Sequence, residues 1–247
     1  PSSLDLFNQV IAQRPDDWFP YFFRGSIYYE VYGVIPNAYE LAKADLDMAI
    51  ALKPGASFPY VFSALLALHE GRIADAGQMI HIVLTEFPDP DFMKRLLVAT
   101  FGDQTLSPYS LTLAAFTNLT LGQYTSVIEE ANVGIENFPE VSDSYLMQGI
   151  AYCGLGDFAA AETSFSNGLA ALPEFVLLDL LRADARLQQG NDSGAAGDFQ
   201  IIQDSALNAE FAPLVKAVQD RTLTCANLFS PDNPVFNGTT QAEIAAL

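Results

Sequence analysis

The chain has 247 residues, with 30 acidic against 11 basic side chains and a formal charge of −19. That imbalance excludes the basic face nucleic-acid phosphates require and disfavours an anionic membrane surface. Half the residues are hydrophobic, yet no apolar run reaches the ~18–20 residues of a membrane span, and two cysteines allow one bridge at most.

From the amino end, residues 3–15 carry Leu4, Phe7, Val10 and Ile11 at helical spacing and predict one amphipathic helix stopped by Pro15. Residues 18–56 predict a helical hairpin. Tyr21, Gly25 and Tyr28 mark its first helix, Ala42, Leu46, Ala49 and Pro54 its second, and the connection around 33–37 is long. Residues 57–90 predict a second hairpin that turns at Gly71 and stops at Pro88. The segment 91–107 contains an amphipathic run, Phe92 to Phe101, and predicts one extra helix. Three hairpins follow at 108–141, 142–175 and 176–209. A lone helix at 210–222 comes next, with Phe211, Leu214, Val215 and Val218 on its apolar face. Residues 223–247 drop the pattern and read as a turn-rich, extended tail punctuated by Leu228, Phe229, Val235 and Phe236.

The hairpins keep a beat. Gly122, Gly156 and Gly190 lie 34 residues apart, as do Pro54 and Pro88, and Pro139 and Pro173. A period of that size means an array of stacked units. Within 142–175, Tyr145, Gly149, Tyr152, Gly156, Phe158, Ala161, Phe165 and Pro173 fall at positions 4, 8, 11, 15, 17, 20, 24 and 32. This resembles the tetratricopeptide repeat. The unit 176–209 is the most degenerate, with Asp179, Arg186 and Leu207 at signature positions. Small residues at 8 and 20 let two helices approach, aromatic ones at 4, 11 and 24 fill the space around them, Gly at 15 turns the chain and Pro at 32 stops it. The expected fold is all-α: an α-solenoid of tetratricopeptide-like hairpins over 1–222, with an extra helix mid-array and an extended tail over 223–247.

The resemblance implies a concave groove lined by first-helix positions 2, 5, 9, 12 and 13. Here that lining includes Phe19, Phe22, Tyr29, Phe58, Val61, Leu65, Leu68, Phe116, Leu119, Leu146 and Ile150, with His69, Asp143, Cys153 and Asp184 among its polar members. Chaperone-binding relatives grip a peptide carboxylate with Lys, Arg and Asn on this face, and no such set occurs. An apolar strip of this length is covered by a peptide, by the chain's own tail, or by a tight superhelix that makes it core. Cys153 on the groove side and Cys225 at the tail's start either bridge, within one chain or between two, or stand as two small hydrophobes.

Two non-enzymatic functions compete. The chain begins with a second helix that lacks its first and ends with a first helix that lacks its second. Head-to-tail joining through Leu4, Phe7, Val10 and Ile11 of one copy and Phe211, Leu214, Val215 and Val218 of the next builds a filament braced by the tail. The alternative is a monomeric adaptor whose groove binds a protein peptide. No metal-ligand spacing, phosphate-cradling loop or nucleophile elbow occurs, so no enzyme, cofactor or metal is expected. Sequons at Asn191 and Asn237, with Pro1 in place of Met, set an expectation of surface glycans and an extracellular or cell-surface location.

Overall fold

The computed structural model describes residues 2–31, 35–86 and 108–228. Among these residues every regular element is a helix. A single helix, α1 (Ser3–Gln13), is followed by the hairpins α2 (Trp18–Glu30) with α3 (Ala38–Leu52) and α4 (Ser57–His69) with α5 (Ile73–Glu86). After the undescribed interval come α6 (Pro108–Thr120) with α7 (Tyr124–Asn137), α8 (Ser142–Leu155) with α9 (Phe158–Ala171), and α10 (Val176–Gln188) with α11 (Asp192–Asp204). A final helix, α12 (Asn208–Gln219), closes the array. The expected extra helix at 91–107 and the tail beyond Leu228 lie outside the described residues.

Each hairpin is held by a close approach of its two helices. At Gly149 a Cβ would stand 2.2 Å from Cε1 of Phe165, so only glycine at position 8 lets that ring sit against the backbone. The turn after α8 needs its glycine for a different reason: Gly156 has φ +79, the left-handed region that closes a helix end.

A second contact recurs in the same register and ties helix to helix through polar groups. Position 7 of the first helix meets position 23. Arg24 forks onto Asp45 at 2.6 and 2.7 Å, Ser164 Oγ donates to Gln148 at 2.6 Å, and Arg182 donates to Asp198 at 2.7 Å. In the degenerate unit the charges extend further. Asp179 and Arg186 occupy positions 4 and 11, where the pattern has aromatic residues. Arg182 also donates to Asp179, and Arg186 donates to both oxygens of the buried Asp198 and to Glu162. The lost aromatic packing is replaced by a hydrogen-bonded ion network, the form in which buried charge is tolerated.

The array does not stay open. On the concave side the successive first helices α2 and α4 pack ring to ring: Phe22 stacks near Phe58 and meets Phe62 edge-on, and Tyr29 packs edge-on to Phe62 and His69. Across the array, His69 lies flat on Phe175, just ahead of α10, with ring centroids 3.8 Å apart. Helix α4 touches α10, and the Gly71 turn meets Leu207 and Phe211 at the far end of the chain. The units before and after the undescribed interval thus close face to face around one continuous apolar core.

Candidate functional site

The concave face is where the sequence places function, and the closure decides what it does. Phe22, Tyr29, Phe58, Val61, Leu65 and Leu68 are buried, and so are Phe116, Leu119, Leu146 and Ile150 opposite them. Of the three ways the sequence left for covering this strip, the burial is that of a tight superhelix: these side chains face one another and form core rather than an open peptide groove. Phe19 alone of the set stays exposed, at 42%, because it sits at the outer end of α2. The cause is composition. A lining this apolar reaches lower free energy by closing than by standing in water, at about 25 cal/mol per Å² buried.

Polar groups fix the register of that closure. Asp143, on α8, receives the Tyr29 hydroxyl at 2.5 Å on one oxygen, and His69 Nε2 lies 2.9 Å from the other. One carboxylate thereby joins α2, α4 and α8. Sequence reading placed all three residues on the concave side but gave no sign that they meet, since each occurs once and carries no period.

The expected joining faces at the two ends are unlike each other. On α1, Leu4, Phe7, Val10 and Ile11 are half-buried, Phe7 stacking on Phe23 at 5.8 Å, while Leu6 stays 54% exposed. On α12, Phe211, Leu214 and Val218 are buried within their own chain. That corrects the expected junction: these three side chains pack where the array closes and are not free for a second copy. Val215 is half-buried and lines a surface groove of ≈ 370 Å³ between α11 and α12, together with Phe199, Ala212 and Lys216.

Cys153 and Cys225 form a disulfide within the chain, with Cα atoms 5.8 Å apart. It fastens the segment after α12 to α8. Asn191 is exposed and caps α11, its side-chain oxygen accepting the Gly194 N–H at 3.0 Å. Asn237 lies outside the described residues. Among the described residues no cluster of His, Cys, Asp and Glu is arranged to hold a metal ion, and no helix is long and apolar enough to cross a membrane.

No family model matches the chain. Two curated rice proteins (Oryza sativa subsp. japonica) are similar to it: DnaJ protein P58IPK homolog B, 26% identical, and homolog A, 24% identical, each over 212 residues and 81% of this chain. The chain spans 41% of the length of these relatives. Among solved structures, a monomeric IFIT1 mutant with m7Gppp-AAAA superposes with a TM-score of 0.50 at 16% identity, covering 98% of this chain and 52% of that one. YrrB, described as a TPR protein with an unusual peptide-binding site, superposes with a TM-score of 0.39 at 14% identity, covering 94% of this chain and 95% of that one. The hairpin geometry and the IFIT1 superposition define the class: a tetratricopeptide-like α-solenoid.

Proposed function

We propose that this chain is a protein–protein interaction module without chemistry of its own, and that its standing contact surface is the α1–α2 edge rather than the concave face. The observation that carries this reading is the distribution of apolar surface. The concave lining is consumed inside the chain, while the paired helices α1 and α2 keep Leu6 and Phe19 exposed along with the half-buried Leu4 and Phe7; Leu155 and Ile201 are as exposed but lie on separate hairpins. Exposed apolar side chains on two helices in contact support a contact site there.

Head-to-tail assembly of this chain is the second reading, in a changed form. The groove between α11 and α12 replaces the buried face of α12 as the receptor, and α1 of the next copy fills it. Such a contact is heterologous and propagates. Light scattering and negative-stain microscopy over a concentration series test it. Concentration-dependent growth abolished by Leu6→Asp supports assembly. A chain that stays monomeric throughout removes assembly and leaves a different protein as the partner of the edge.

The ligand named with IFIT1 is not carried over, because a chain of charge −19 offers phosphates no basic face. The disulfide supports an oxidising compartment, extracellular or cell-surface. The exposed Asn191 supports a glycan there, checked by the intact mass of native material.

A further inference from the structure

The segment after α12 is held in an unusual way. Arg221 adopts φ +61, the Thr222 N–H bonds back to Ala217 O at 2.9 Å, and the chain reverses out of the helix. Residues 221–228 then lie as a strap on the concave edge of α8 and α10. They form no helix, and Thr224 and Asn227 close a small turn on each other. Leu223, Cys225 and Leu228 are buried. The Cys225 N–H donates to Asp184 Oδ2 at 2.7 Å, Arg221 donates to Leu187 O at 3.2 Å, and the Cys225 sulfur is joined to Cys153. Asp184, Leu187 and Cys153 stand at positions 9, 12 and 12 of neighbouring first helices, all on the concave side.

These are the contacts a bound peptide makes: two apolar anchors five residues apart, and a backbone N–H held by a side-chain acceptor. Asp184 bears the mark of occupancy. It is 0% exposed, and burial raises its pKa, opposed by hydrogen bonds from the Cys225 N–H and from Gln188 at 3.1 Å. Gln188 belongs to the same helix, so the partner from outside α10 is the strap.

We propose that the concave edge of α8 and α10 is a peptide-binding site occupied by this chain's own residues 221–228 and locked by the Cys153–Cys225 bridge. Once unlocked, it takes a turn-forming peptide of another protein with two leucines five residues apart around a small residue. The proposal deepens the interaction role above and concerns a different surface, so its failure leaves the α1–α2 edge untouched. Unlocking is thiol–disulfide exchange with a dithiol. One thiolate attacks a bridge sulfur and displaces the other cysteine as a thiolate, which takes up a proton. The second thiol then displaces the remaining cysteine, leaving two cysteine thiols and an oxidised, cyclic disulfide. Both sulfurs are buried, so attack follows opening of the strap.

Hydrogen exchange on the whole chain, before and after dithiothreitol, tests the lock. The expected result is that amides of residues 223–228 lose protection by about tenfold or more on reduction while those of α8 and α10 keep theirs. Protection of the strap unchanged by reduction overturns the lock. Loss of protection in α8 and α10 together with the strap also overturns it, since the strap is then ordinary core.

A tethered strap outcompetes a free peptide through its high effective concentration. The site itself is therefore tested in the full chain carrying Cys225→Ser and Leu228→Asp. The probe is the octapeptide Arg221–Leu228, activated as a mixed disulfide at its cysteine. Capture at Cys153, read by intact mass, is expected to be about tenfold faster than for the same peptide with both leucines replaced by aspartate. Equal capture of both peptides, or a variant that fails to fold, overturns the site.

Discussion

Glycine at position 149 and the ring of Phe165 show how one side chain sets a helix pair. A methyl group added at Gly149 overlaps a fully buried ring, with three ring atoms of Phe165 between 2.2 and 2.7 Å away. Gly149→Ala is expected to cost about 1–3 kcal/mol, read as a lowered denaturation midpoint. Gly197, inside α11, has nothing within 4 Å of an added Cβ, so Gly197→Ala is expected to stabilise by up to about 1 kcal/mol. Asp179 gives a pH-dependent case. Burial pushes its carboxyl up to about 6, with Arg182 opposing and Asp198 reinforcing the rise. The folded-state value lies above the unfolded 3.8, so the folded state holds the extra proton. The stability this group contributes is complete below the unfolded value and is lost as pH rises through about 6. Asp179→Asn is thus expected to be about 2 kcal/mol more favourable to stability at pH 7.5 than at pH 4, whatever the loss of the Arg182 contact costs at both. Thermal melts at the two pH values check it, and an equal effect at both refutes the assignment.

The hairpins were legible because their determinants repeat. Helices α4, α6, α8 and α10 begin at Ser57, Pro108, Ser142 and Val176, the first positions of the units read from the glycine and proline spacing. The pairing of position 7 with 23 was legible too, in Arg24 with Asp45 and Arg182 with Asp198, but the signature residues drew the reading away from it. The concave site was only half legible. Its residues were placed on the right face, yet whether that face is groove or core depends on superhelix radius. Radius is set by small rotations between units and by single contacts such as Tyr29 with Asp143, which have no period to detect. The face of α12 was misread for the same reason: it packs in register on α10 and α11, but its apolar side also meets the Gly71 turn, 140 residues before Phe211. Phe211 is fully buried against that turn. Phe211→Ala is expected to cost about 3–5 kcal/mol in chemical denaturation. The same variant should increase proteolysis near residues 205–208 ahead of global unfolding, because these residues connect α11 to the helix whose packing it weakens.

Over the described residues the array is a closed body rather than an open spiral, its concave side chains buried in one continuous core. A compact chain of this length has a radius of gyration of about 18 Å, which small-angle scattering measures directly. Closure rests on apolar contact for its free energy and on Asp143 for its register, since that one carboxylate meets α2 through Tyr29 and α4 through His69. Asp143→Ala removes the acceptor both of them use in a buried setting and is expected to cost about 2–4 kcal/mol. Asp143→Leu restores volume without the acceptor, so comparing the two separates packing from polar registration. If the carboxylate sets the register, both variants lose stability and both scatter with a larger radius than the parent chain. If apolar contact alone closes the array, Asp143→Leu keeps the parent radius, and the polar contact is a consequence of closure rather than its determinant.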